Sequence, residues 1–170
     1  DKAKVLLAEA GYPNGVDLTL LSISRQPEMR IAEMVQAMWG AAGIRAKLEA
    51  LERLTWRDKV YTEKNFDVTH WRSELPPDPA LLDSQLVTGG ALNRSGYSNP
   101  EMDRCMEEGG SEYDPKNRHE TYKRCQKLIF DEAWWGSGYF MPSNHVFSKN
   151  VKGVRQFWLA PDLREVWLDK

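Results

Sequence analysis

Two apolar segments flank a helical stripe near the start of this chain, and that arrangement constrains its fold more than any other feature. Leu18 to Ile23 is short and apolar, bounded by turn chemistry on both sides, which predicts a largely buried strand. Pro27 suits the first turn of a helix, and Ile31, Met34, Val35, Met38, Trp39 and Ala42 then recur at the spacing of a helix docked on a sheet. Gly43 ends it. Ile44, Ala46, Leu48 and Ala50 alternate with Arg45, Lys47 and Glu49, the period of a strand with one wet face. A strand, a helix and a strand in that order predict a parallel pair joined by a right-handed crossover, hence an α/β sheet flanked by helices.

The surrounding segments extend the pattern. Lys2 to Ala10 is an amphipathic helix stopped by Gly11 and the turn residues Tyr12-Pro13-Asn14-Gly15. Trp56 to Glu63 reads as a short helix with Trp56 and Val60 on one face, and Phe66 to Trp71 as a third strand. Three prolines between Pro76 and Pro79 then force a shaped loop. Ala80 to Val87 is a short helix candidate. Glu101 to Glu108 and Lys116 to Ala133 form a helical hairpin, turning at Gly109-Gly110-Ser111. Beyond Trp134 the chain is aromatic and β-like.

Length and charge narrow the function classes. At 170 residues the chain is one domain or one large lobe, and 23 Lys plus Arg against 25 Asp plus Glu give no pull toward nucleic acid. No run approaches the ~18 apolar residues that a membrane helix needs. The signatures GxSxG, HExxH, GxxxxGK[ST] and GxGxxG are missing, His70, His119 and His145 fall on separate elements, and nothing calls for a metal or cofactor. Catalysis is not expected. Cys105 and Cys125 lack zinc-site spacing; a single disulfide and two buried thiols are both open readings. Asn93-Arg94-Ser95 matches a glycosylation sequon, a triplet that arises often by chance.

Position supplies the candidate site, because ligands of open α/β sheets bind where the loops leave the carboxyl ends of the strands. Arg25 follows the first strand and Glu74 the third. A guanidinium can clamp a carboxylate and a carboxylate can hold an ammonium, so the pair suits a zwitterion, with Trp71 as an apolar wall. A plainer reading makes Arg25 and Glu74 solvated loop charges and Trp71 part of the core, and spacing alone favours it. Seven tryptophans also raise sugar or base stacking, although Trp39 and Trp56 lie on inner helix faces. Glu74 with Asp78 as the carboxylates of a glycoside hydrolase is a remote alternative.

One ordered series adds a resemblance: Leu6-Leu7-Ala8-Glu9-Ala10-Gly11-Tyr12-Pro13-Asn14-Gly15, Ala32-Glu33-Met34-Val35-Gln36-Ala37-Met38-Trp39, Ala42-Gly43-Ile44, Phe66-Asp67-Val68, Pro77-Asp78-Pro79, Tyr97-Ser98-Asn99-Pro100-Glu101-Met102-Asp103, Arg118 with Tyr122 and Gln126, and Val151-Lys152-Gly153. It resembles the family 5 extracellular solute-binding proteins, the dipeptide, oligopeptide and nickel receptors of ABC importers. The resemblance implies a lobe of the type II periplasmic binding protein fold, captured solute, a membrane permease as partner, and a place in the periplasm or tethered outside the cell. It further implies that residues 1–142 are the second ligand-binding lobe, truncated at its N-terminal side, and that residues 143–170 return to a first lobe absent from this chain. By the same resemblance Glu74 holds a peptide's α-ammonium, Arg25 pairs with its carboxylate, and Asn93 and Tyr97 line the cleft. Peptides are the expected solutes; oligosaccharides, opines and metal chelates are the alternatives within the family.

Overall fold

The structure is a computed structural model and describes residues 2–71, 76–136, 138, 144–157 and 160–169, with the backbone alone at residue 157. Helix α1 (Lys2–Glu9) leads through a turn into β1 (Val16–Ile23), α2 (Glu28–Ala42) and β2 (Ile44–Leu51). The turn depends on Gly15, whose φ is +84° and where a Cβ would stand 2.1 Å from the Gly43 carbonyl oxygen. Strands β1 and β2 run parallel in unbroken register from Val16 opposite Ile44 to Ile23 opposite Leu51. A short helix α3 (Arg53–Arg57) continues as a π-helical turn (Asp58–Thr62) and precedes β3 (Val68–Thr69), which pairs parallel with the other edge of β1. The strand order is therefore β2-β1-β3.

Because β1 is central and covered on both faces, its apolar residues run together instead of alternating. Leu20 packs with Ala32 of α2 and Ala46 of β2, joined by Val35 and Trp39. Leu21 and Ile23 point the other way, onto Trp56 and Val60, with Tyr61, Phe66 and Trp71 around them. On β2, Ala46 is buried while Arg45 and Lys47 face water, as the alternation predicts, but the pattern reverses near the strand's end, where Ala50 is exposed and Glu49, paired with Lys59, is half-buried.

Helix α2 and strand β3 differ from the sequence reading. Helix α2 docks through Ala32, Val35 and Trp39, leaving Met34 and Met38 at 59% and 69% exposure. The apolar stripe is wider than the contact, and the helix buries the small Ala32 completely against the sheet, where a short side chain permits close approach. Gln36 joins that side because its amide donates to the Ala46 carbonyl at 2.7 Å. The third strand is shorter than Phe66 to Trp71: Asp67 accepts a hydrogen bond from the Thr19 N–H, so its side chain takes up that backbone donor at the strand's start.

In the C-terminal half, a 3₁₀ turn (Pro79–Leu82) and α4 (Asp83–Leu86) precede the hairpin of α5 (Pro100–Ser111) and α6 (Pro115–Glu132). Asn99 and Asp114 cap the two helices through their side chains, each ahead of a proline at the first helical position. Gly109, Gly110 and Ser111 lie inside α5, and the turn falls at Glu112 to Asp114. Gly109 is there for clearance: a Cβ would come within 2.7 Å of the Tyr122 ring, so glycine lets α6 close on α5. Leu86, Met102, Cys105, Met106 and Cys125 form the core of this half, and the two sulfurs are bonded. The remaining described chain makes two small antiparallel ladders, β4 (Val151–Lys152) with β7 (Trp167–Leu168) and β5 (Arg155–Phe157) with β6 (Ala160–Asp162). Among the described residues no helix is long and apolar enough to cross a membrane.

Candidate functional site

Of the expected residues, Arg25 and Trp71 follow the carboxyl ends of β1 and β3, and Asn93 and Tyr97 sit together in the loop before α5. Ile23 ends β1, and Arg25 turns back so that its Nη2 donates to Oε1 of Glu28 at 2.8 Å. Glu28 is 1% exposed in the first turn of α2, where the helix dipole also favours a carboxylate. The Glu28 carboxylate raises the Arg25 pKa further above its usual value, by hydrogen bond first and charge second. Arg25 is thus partly neutralised within the chain, although its side chain stays 45% exposed. Sequence spacing placed Arg25 at this edge but did not show Glu28, since one Glu among helix-start residues reads as an ordinary surface charge.

Beyond β3, the His70 N–H donates to the Leu21 carbonyl and extends the ladder by one residue. Its Nδ1 is buried without a hydrogen-bond partner among the described residues. Burial lowers the His70 pKa, an effect opposed by the charge of Glu28, so the ring favours the neutral form. Trp71 then stacks on Trp56, centroids 4.8 Å apart and planes 17° apart. Trp56 is itself fixed by its indole N–H, which donates to Thr69 Oγ1 at 2.9 Å. Trp71 therefore packs on the core cluster, just beyond the end of β3.

Glu74 lies outside the described residues. Asp78 accepts from Arg118 Nη2 at 2.8 Å and from the Ala80 N–H at 2.9 Å. Those bonds hold its carboxyl below the usual carboxylate range, which suits a structural anchor and not the protonated acid of a glycosidase.

Asn93 is buried, 5% exposed, and spends its amide on its own loop. Nδ2 donates to the carbonyls of Val87 at 3.0 Å and Tyr97 at 2.7 Å, so the nitrogen a glycan would need is already engaged. Tyr97 packs with another cluster: its ring stacks on Trp134 at 4.2 Å, and its hydroxyl donates to Glu132 at 2.5 Å. The residue that does join Trp71 is Arg94, between these two. Its guanidinium carbon lies 4.4 Å from the centroid of Tyr61 and 5.8 Å from that of Trp71. Nothing in the sequence announces it, because an arginine in a polar loop carries no periodicity. Among the described residues no group of three or more His, Cys, Asp or Glu side chains is placed to hold a metal.

Comparison with known proteins agrees with this architecture. Residues 1–93 match the model of the bacterial extracellular solute-binding proteins, family 5, in its middle part. The glutathione-binding protein GsiB of Escherichia coli K12 is 27% identical over 175 residues, covering 95% of this chain and 33% of that protein. The dipeptide-binding protein DppE of Bacillus subtilis is 29% identical over 162 residues, covering 90% of this chain and 29% of that protein. Among solved structures, the murein tripeptide binding protein MppA of Escherichia coli superposes with a TM-score of 0.70 at 30% identity, over 78% of this chain and 26% of that one. The chain spans about a third of the length of the curated relatives it matches. The family match over more than half of the residues, on a parallel sheet whose carboxyl edge carries an aromatic wall and a cation, shows that this chain belongs to the family 5 bacterial extracellular solute-binding proteins.

Proposed function

We propose that this chain is a ligand-binding lobe of an ABC-importer receptor that captures peptides outside the cytoplasmic membrane and delivers them to a permease. The observation that carries the reading is family membership together with relatives named for glutathione, dipeptide and murein tripeptide binding. No reaction is assigned to it. The first lobe, closing on this sheet's carboxyl edge, excludes water, which strengthens each polar contact made there. In this reading residues 1–142 form the lobe and residues 143–170 pack against a first lobe carried elsewhere in the full-length protein. Trp71 supplies the wall, Asn93 shapes the loop beside it, Tyr97 braces that loop from α6, and Glu74 holds the peptide ammonium. Arg25, already paired with Glu28, organises the turn after β1 and adds positive potential to the cleft.

Native mass spectrometry of the full-length protein, purified without denaturation, tests the proposal. A ladder of co-purified peptide masses is expected, and Glu74→Gln should weaken peptide binding by about 2 to 5 kcal/mol by removing one partner of a buried charge pair. A single sugar, opine or chelate mass, insensitive to Glu74→Gln, would overturn the peptide reading while keeping the family.

A further inference from the structure

We propose that Arg94 is the anion-binding side chain of this cleft, the group that receives the carboxylate of a captured peptide; the proposal rests on the peptide reading above. Three observations converge on it. The guanidinium carbon lies 4.4 Å from the centroid of the Tyr61 ring, a neighbour that also engages it by a side-chain hydrogen bond, and the donors of its planar fork that this bond leaves over are of the kind by which arginine grips carboxylates. It carries no ion pair with any described carboxylate, and its Nε is buried with no hydrogen-bond partner among the described residues, so among those residues no anion compensates this half-buried cation. Burial lowers its pKa, in keeping with a charge lacking an anion. By contrast Arg25 is held by the buried carboxylate of Glu28.

The loop is built to present it. Asn93, the preceding residue, is locked by two hydrogen bonds to Val87 and Tyr97, so the position of Arg94 is set before a ligand arrives. Trp71, at 5.8 Å, places the apolar wall beside the same cation, so an apolar body and an anionic end are recognised side by side. A half-buried guanidinium whose Nε lacks a partner among the described residues costs the lobe stability, and an incoming carboxylate relieves that cost by charge-assisted hydrogen bonds.

The test uses the full-length protein, freed of ligand by reversible denaturation, and two pools of di- to pentapeptides made from Ala, Gly, Leu and Ser. One pool carries free C-terminal carboxylates, the one anionic group present, and the other carries C-terminal amides. Native mass spectrometry is expected to show the acids retained over the amides. Arg94→Gln should cut acid retention by roughly tenfold to a hundredfold and erase the preference, with Arg94→Lys keeping part of it. Equal retention of acids and amides by the unsubstituted protein, or an Arg94→Gln variant of unchanged melting temperature that keeps the preference, would overturn the proposal and leave the peptide reading standing. Retention of neither pool overturns the peptide reading, and this proposal with it. Should Arg94→Gln fail to fold, Arg94→Lys decides: weaker binding with the preference kept supports the role, and undiminished binding removes it.

Discussion

The Tyr97 hydroxyl donates to one oxygen of Glu132 while the Asn99 amide donates to the other, and the phenol ring lies on Trp134. Ionising it would place a second negative charge beside a carboxylate in a partly dry site. Its pKa is accordingly pushed up to about 12, by burial first and by the Glu132 hydrogen bond second. In the unfolded chain the same phenol titrates near ~10. The stabilisation is therefore complete below about pH 10 and is lost as pH rises toward about 12, because the unfolded state releases its proton first. Urea unfolding across that window is expected to show a decline that Tyr97→Phe makes shallower; an identical slope in the variant would remove Tyr97 as its source. At this scale the site was unevenly legible. Trp71 stood out by residue type and by its place after a strand. Arg94 and Glu28 did not, since what marks each is its burial beside particular neighbours, which no local pattern encodes.

Among the elements, the α5–α6 hairpin is the one most strongly tied together. Its bond between Cys105 and Cys125 closes a separation of 20 residues, and on the chain-entropy account a loop of that length is worth about 3 kcal/mol. Replacing both cysteines by alanine is expected to lower the unfolding free energy by about that amount in urea titrations. No loss would mean that the hairpin is equally ordered in the denatured ensemble. Sequence left the pair open between bonded and free, because helical spacing allows contact without requiring it. It also put the turn at Gly109-Gly110-Ser111, where glycine suggested a break. Here glycine is used for clearance against Tyr122 across the hairpin, a need visible only when both helices are present. The face of α2 is a similar case: six apolar positions satisfied the helical period, and Met34 and Met38 among them proved surplus to the docking contact.

For the molecule as a whole, β1 is the member on which two cores depend. Leu20 serves the α2 side and Leu21 the α3 side, and both are 1% exposed or less. Leu21→Ala should cost about 2 to 5 kcal/mol, whereas Met34→Ala, at an exposed position of α2, should stay within about 0.5 kcal/mol. Chemical denaturation of the two variants side by side checks the contrast, and equal losses would contradict a sheet covered on both faces. The sequence by itself determined the strand–helix–strand unit, the parallel sheet and the family. Periodicity, turn residues and motif order are local along the chain and survive without knowledge of distant contacts. Tertiary structure alone decided which described neighbour each cation meets. Arg25 meets Glu28 and Arg94 meets Tyr61 through the packing of separate elements, and burial, which sets the energy of each charge, is a property of the folded surroundings.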